Sequence, residues 1–318
     1  MTVLLLHISK DKQILALADM YGHILAHQIL IEQSNVNYSV VIKVFLSLYP
    51  QIDLNYACIA YSGSVNIFTP VEIQLLKEEL DLEAIITVKD TIAQACGLHL
   101  LHKNQFFVLK KGEFKKGGNR SFLLIEESQI GESVLAYPDT IIDSNGGFCD
   151  FIPLDDVEYL LQKFVKEERA SVFYNDILSE SGLLLICKFL YQKMHYQLPK
   201  HLESNFFISS KAIEEVVRLG CATKTPIFST ALRIFLKILG AKVRNHILQF
   251  DSTAGVFLSG NILIGMKKRL KEDTSFNEGL YRKDSSDVIV ADTSVQIIND
   301  LLSPLYGAHC YLFEKISD

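Results

Sequence analysis

Apolar residues come in short, nearly continuous runs over the first third of the chain and at three- and four-residue spacing over much of the rest. Val3–Leu6, Gln13–Ala18 and Ile24–Ile31 are runs of the first kind, separated by polar turn signals at Lys10–Lys12 and Tyr21–Gly22. They predict an antiparallel meander of three strands. A helix over Val40–Tyr49, a strand over Ala57–Tyr61, a helix over Pro70–Leu80, a strand over Ala84–Val88 and a helix over Thr91–His102 follow. Three strands and then α, β, α, β, α predict an α/β sheet with helices on its faces.

After a Gly-, Lys- and Asn-rich stretch, Lys110–Arg120, strands are expected at Ser121–Glu126 and Ser133–Tyr137. Val157, Leu160, Leu161 and Phe164 then recur at i, i+3, i+4 and i+7, the stripe of a helix with one buried face, and Asp155 and Asp156 suit its first turn. Further helices are predicted at Ile177–Tyr196, Lys211–Leu219 and Pro226–Leu239. A strand at Gly255–Ser259, a strand at Val288–Ala291 and a helix at Ser294–Leu302 complete the series. The expected division is a smaller α/β lobe over 1–105, completed by 303–318, and a larger α/β lobe over 106–302.

Composition narrows the classes. With 318 residues, 49% of them hydrophobic, the chain is long enough to bury a large core. A net charge of −6 and no basic tract beyond KKGEFKKGGNR at 110–120 argue against nucleic acid as a partner. Six cysteines without C-x-x-C spacing imply neither disulfides nor zinc and read as buried thiols. No apolar run approaches the ~20 residues that cross a bilayer, and MTVLLLHISKDK lacks the features of a secretory signal, so a cytoplasmic protein without a membrane partner is expected. The nine histidines lack spacing such as H-E-x-x-H, no G-x-S-x-G elbow occurs, and no metal site is expected.

Four segments carry a family resemblance. DSNGGFCDFIP at 143–153 resembles the G-E-G-G-H-x-D-F-x-P signature of bacterial glucokinases at Gly146, Gly147, Asp150, Phe151 and Pro153. ASVFYNDILSESGLLLI at 170–186 is similar to the family's S-x-E-R-x-L-S-G-P-G-L segment at Leu178, Ser179, Gly182 and Leu183. AGVFLSGNI at 254–262 resembles G-G-V-F-x-x-G-G-I, and YGAHCYL at 306–312 resembles G-S-G-A-H. The order matches along nearly the whole chain. The resemblance implies the two-lobed actin-like ATPase (ribonuclease H-like) fold of the glucokinase type, and a homodimer formed through the larger lobe. It also implies a hexose-like ligand and transfer of the ATP γ-phosphoryl group with Mg²⁺.

The same resemblance locates a site and shows where this chain departs from it. Asp90, in ITVKDTIA at 86–93, aligns with the family's catalytic carboxylate, and Lys89 stands where an Asn contacts sugar. By residue type alone, Asp90 reads equally as an N-cap for a helix starting at Thr91. On the sugar side Asn145 replaces a Glu, Phe148 replaces a His and Asn175 aligns with a second Glu. Asn still donates and accepts hydrogen bonds, and Phe148 offers a ring to stack on a sugar. The first phosphate loop, D-x-G-G-T in the family, reads His7, Ile8, Ser9, Lys10, Asp11 here. Lys10 or Lys12 is the candidate substitute cation, a charged hairpin tip the simpler reading.

The second loop reads EESQIGE at 126–132, leaving Ser128 and Gly131 as candidate nucleotide contacts beside three carboxylates. Two unit charges about 4 Å apart repel by roughly 4 kcal/mol at an effective dielectric of about 20, enough to erase roughly thousandfold affinity for an anion. Gly255 and Gly260 keep the adenosine-side pattern. Three readings follow. One is a pseudo-enzyme of the glucokinase type, impaired in catalysis and needing no cofactor. The second is an active hexose kinase of altered specificity in glycolysis, using ATP, Mg²⁺ and Asp90 as base. The third is a non-catalytic dimeric scaffold.

Overall fold

In the computed structural model, which describes residues 1–9, 12–31, 37–63, 69–113, 115–200, 202, 206–209, 211–223 and 225–317, the chain divides into two units. The first comprises Met1–Gln105 with Asp300–Asp318, the second Phe106–Asn299.

The first unit opens with β1 (Thr2–Ile8), β2 (Lys12–Asp19) and β3 (Ile24–Ile31), paired antiparallel as their spacing predicts. Then come α1 (Tyr38–Ser47), β4 (Leu54–Tyr61), α2 (Pro70–Glu79), β5 (Ala84–Lys89) and α3 (Asp90–Gly97). The sheet order is β3-β2-β1-β4-β5, with β4 parallel to both β1 and β5. Successive strand side chains point to opposite faces, and both faces of β1 are covered, which explains the unbroken apolar run Val3–Leu6. Val3 and Leu5 pack with Ala93, Leu305, Ala308 and Leu312 on one face. Leu4, Leu6 and Ile8 pack with Ile42, Phe45 and Leu76 on the other. Pro70 at the first turn and a Thr69–Glu72 capping box start α2.

The second unit begins with β6 (Phe106–Lys110), β7 (Arg120–Ile125), β8 (Ile130–Ala136) and β9 (Thr140–Ser144). The Lys110–Arg120 stretch thus joins two strands of one sheet. Helices α4 (Asp156–Lys166), α5 (Tyr174–Ile177), α6 (Glu180–Gln192), α7 (Ala212–Cys221) and α8 (Pro226–Gln249) follow. The series closes with β10 (Val256–Ser259), α9 (Asn261–Glu272), α10 (Ser275–Leu280), α11 (Asp287–Asp292) and β11 (Val295–Ile298). The six strands lie in the order β6-β11-β10-β7-β8-β9. Helix α8 is buried on almost every side, from Ile227 to Ile247, which places its Lys242, Arg244 and His246 inside the protein. Arg244 finds its partners in Asp284, Asp287 and the Leu280 carbonyl.

One predicted region is reversed. Val288–Ala291, expected as a strand, lies in α11, and most of Ser294–Leu302, expected as a helix, is β11 and its exit turn. A run of four apolar residues has no period of its own, so its neighbours decide. Asp287 accepts the backbone N–H groups of Arg282 and Lys283 and pairs with Arg244, anchoring the first turn of α11. Val295, Ile297 and Ile298 are meanwhile buried where β11 fills the space between β10 and β6. Two further differences are of length: the helix expected over Thr91–His102 ends at Gly97, and α8 runs ten residues past Leu239.

The remaining helix, α12 (Ser303–Ser317), belongs to the first unit. It crosses α3 at two glycines. An added Cβ on Gly97 would stand 2.5 Å from Gly307 N, and one on Gly307 would collide with the Ala93 carbonyl. His309 then donates from Nε2 to the Asp19 carbonyl at 2.9 Å. The YGAHCYL motif therefore has a packing role in this chain.

Candidate functional site

The signature turn is built by the second unit. β9 ends at Ser144, Asn145 leads into a single 3-10 turn, Gly146–Phe148, and the following residues pair with the strand-like segment before α5. Phe151 N–H donates to the Val172 carbonyl and Tyr174 N–H to the Cys149 carbonyl, which draws Asn175 under the turn. Phe151 is buried edge-on to Tyr174, with ring centroids 5.8 Å apart.

Both glycines of the turn are required by close approach. A Cβ on Gly146 would collide with the Glu132 carboxylate; one on Gly147 would collide with the Asn175 side chain and stand 2.7 Å from the Ile130 carbonyl. Asn175 Oδ1 accepts the Ile130 N–H at 3.0 Å, so its oxygen serves the fold. Asn145 is exposed, and its side chain does not cap the turn. Phe148 is 61% exposed and lies edge-on to Phe173, ring centroids 6.2 Å apart. Cys149 beside it is exposed as well, unlike the buried Cys58, Cys96 and Cys187, so the expectation of buried thiols fails there.

Beneath the turn lies a buried charge cluster that the sequence reading missed. Glu132 on β8 faces Lys242 Nζ at 2.8 Å through Oε1 and His246 Nε2 at 2.8 Å through Oε2. All three side chains are almost wholly buried. Burial works against the carboxylate, but the hydrogen bonds and charges of His246 and Lys242 outweigh it and hold its pKa below the ordinary glutamate value. Lys242 also donates to the Gly146 carbonyl at 3.1 Å and stands 4.5 Å over the Tyr174 ring. His246 Nδ1 lies 3.3 Å from Ser121 Oγ, which bonds Ser252 Oγ. A sequence signal was available, since charged residues among apolar positions that run round all sides of a helix require buried partners.

Glu132 is therefore not one of three carboxylates lining an anion loop. It is neutralised within the core, and the repulsion argument keeps only Glu126 and Glu127. These two occupy a tight turn joining β7 to β8: Glu126 N–H donates to the Gln129 carbonyl at 3.0 Å. Their carbonyls accept the first backbone N–H groups of α6, from Glu180 at 2.9 Å and Ser181 at 2.8 Å. Ser128 is exposed at the turn's outer end. Gly131 is an ordinary β8 residue opposite Leu124. A phosphate group needs converging N–H donors and small residues. This turn carries two glutamates and no glycine, and the carbonyls of both glutamates are given to α6, a residue set that does not fit a nucleotide phosphate.

Gly255 and Gly260 have φ of 122° and 130° and are held there by the fold. A Cβ on Gly260, which precedes α9, would collide with the Ile125 carbonyl, and one on Gly255 would stand 3.0 Å from Ser294 Oγ. In the first unit, Asp90 is the opening residue of α3 and buried. Lys89, half-buried opposite Tyr61, holds the N-cap position, so the alternative in which Asp90 caps the helix does not apply. The carboxylate sits where the helix dipole favours negative charge. His7, at the end of β1, places Nε2 3.5 Å from Asp90 Oδ2, both side chains buried. Lys10 lies outside the described residues. Among the described residues no cluster of His, Cys, Asp and Glu suited to a metal ion occurs. Nor, among the described residues, is any helix long and apolar enough to cross a membrane.

Two mixed sheets, each covered by helices, define a class that solved structures share. A glucokinase from an Antarctic psychrotroph matches with a TM-score of 0.79 at 20% identity, covering 98% of this chain and 99% of that one. A glucokinase from Balamuthia mandrillaris, solved in complex with glucose, matches with a TM-score of 0.78 at 14% identity, covering 98% and 93%. The fold is that of the two-lobed actin-like ATPases. In sequence, the glucokinase of Campylobacter jejuni subsp. doylei is 26% identical over 234 residues, 70% of this chain and 67% of that protein. The family model described as Glucokinase matches residues 19–315, and the chain belongs to the glucokinase family.

Proposed function

We propose that this chain is a sugar-binding member of the glucokinase family impaired in phosphoryl transfer. The carrying observation is the contrast within the second unit between a signature turn built on glycines and a phosphate-loop segment closed into an acidic hairpin. The ligand it favours is a neutral, hexose-like ring. Asn145 and the Asn175 amide offer uncharged hydrogen-bonding groups, and Phe148 an exposed ring for the apolar face of a pyranose. Glucose binding by calorimetry, run beside a coupled assay with Mg-ATP, tests both halves. Binding without turnover is the expected result; turnover abolished by Asp90→Asn sinks the impaired reading.

That second outcome belongs to the alternative, an active hexose kinase with Asp90 as base. One observation favours it: Asp90 opens α3 with its carboxylate 3.5 Å from His7 Nε2. ATP and Mg²⁺ would then be its cofactors, and millimolar Mg-ATP at 100 times its dissociation constant would stabilise the fold by about 2.7 kcal/mol. We expect no such thermal shift.

A further inference from the structure

We propose that the Glu132–Lys242 pair, braced by His246, is the positioning device of the signature turn, so that the geometry of Asn145–Phe148 is set from inside the core. The inference rests on the sugar-binding reading for its purpose, not for its mechanism.

The Lys242 ammonium has three donors, and the protein surrounds them with an anion, a carbonyl and an aromatic face. Glu132 Oε1 lies at 2.8 Å, the Gly146 carbonyl at 3.1 Å and the Tyr174 ring centroid at 4.5 Å. Nothing of this cation is left to meet a phosphate or a hydroxyl, which makes it a positioning residue. The carboxylate reaches the same residue from the other side. Glu132 Oε2 lies 3.5 Å from Ser144 Oγ, and Ser144 Oγ accepts the Gly146 N–H at 3.1 Å. Both backbone polar groups of Gly146 thus lead to one buried ion pair, the carbonyl through Lys242 and the N–H through Ser144. His246 holds Oε2 from the side of α8, and Ser121 holds the second ring nitrogen.

Stability alone does not call for such an arrangement. An apolar pair of similar volume is commonly as stable as a buried ion pair or more so, because desolvation offsets the Coulomb attraction. What the charges supply is direction: a lysine ammonium bonds a carbonyl at one distance and angle, whereas a methionine at that position would fill the space and leave the Gly146 carbonyl to choose its own orientation. The tight seat under Gly146 and Gly147 has the same effect, since neither residue has room to shift toward β8.

The test uses the full chain, with Lys242→Met as the single variant. The double variant Glu132→Gln/Lys242→Met removes both charges and so avoids an uncompensated carboxylate if the single variant fails to fold. Backbone amide exchange is read at residues 145–149 and, as internal control, along α8, beside D-glucose titration by calorimetry. In the folded double variant we expect exchange at 145–149 to rise at least about tenfold with α8 unchanged. Glucose affinity should fall in step. Exchange at the turn within about twofold of the parent overturns the proposal, as does faster exchange that leaves the parent's glucose affinity intact. If the parent binds no glucose, the sugar-binding reading fails, and the exchange comparison still decides whether the charge pair sets the turn.

Discussion

Two turns at neighbouring ends of the β7–β8–β9 meander have gone separate ways. The turn after β9 keeps its glycines because Glu132, Asn175 and the Ile130 carbonyl occupy the space that any Cβ would need. The turn between β7 and β8 has no such constraint. It carries Glu126, Glu127, Ser128 and Gln129, closes on itself, and gives its carbonyls to the N-terminus of α6. The lesson is that a glycine held by packing is required whatever meets the turn from outside, while a turn free of that constraint accommodates larger side chains.

The comparison is sharpened first at the charge pair. Glu132→Leu leaves Lys242 buried without its counter-ion and should cost about 3–5 kcal/mol in urea unfolding. Next, Gly147→Ala should cost about 1–3 kcal/mol, because the backbone carbonyl of Ile130 cannot yield as a flexible side chain would. Free accommodation of alanine there would break the packing account of the signature turn.

An acid titration gives a smaller, signed effect. The folded pKa of Glu132 lies below its ordinary value of 4.5. Its contribution to stability is therefore complete above that value and is lost as pH falls through the folded pKa. The urea midpoint of the parent should drop on acidification, and Glu132→Gln/Lys242→Met should lack that part of the slope. Smallest of all, Ser128→Ala at the exposed outer end of the hairpin turn should change stability by less than about 0.5 kcal/mol. It should also produce no thermal shift with Mg-ATP, since the glutamates at 126 and 127 remain.

Much of this architecture was legible from the sequence because its signals are local. The unbroken apolar run Val3–Leu6 of β1, the Thr69–Glu72 cap of α2 and the stripe Val157, Leu160, Leu161 and Phe164, of which Leu160 proves exposed, depend on residues within a few positions of one another. The glycines at 146 and 147 were legible as a pattern, although their cause, a collision with Glu132 and Asn175, was not. Glu132 was misread for the same reason: its partners lie on α8, 110 and 114 residues onward, and only the sheet brings them together. The β11 region failed because a four-residue apolar run takes its form from Arg244 and from the gap between β10 and β6, both remote in sequence.

The glycine crossing of α3 by α12 also bears on how the molecule comes into being. Residues 106–299 form an uninterrupted stretch and complete their unit as they emerge, whereas β1–β5 await the Leu305, Ala308 and Leu312 that cover Val3 and Leu5. At the usual ~5–20 residues per second, that interval is on the order of 10–40 s. The older third of the nascent chain thus spends it with one face of its sheet covered by α3 alone, until α12 arrives.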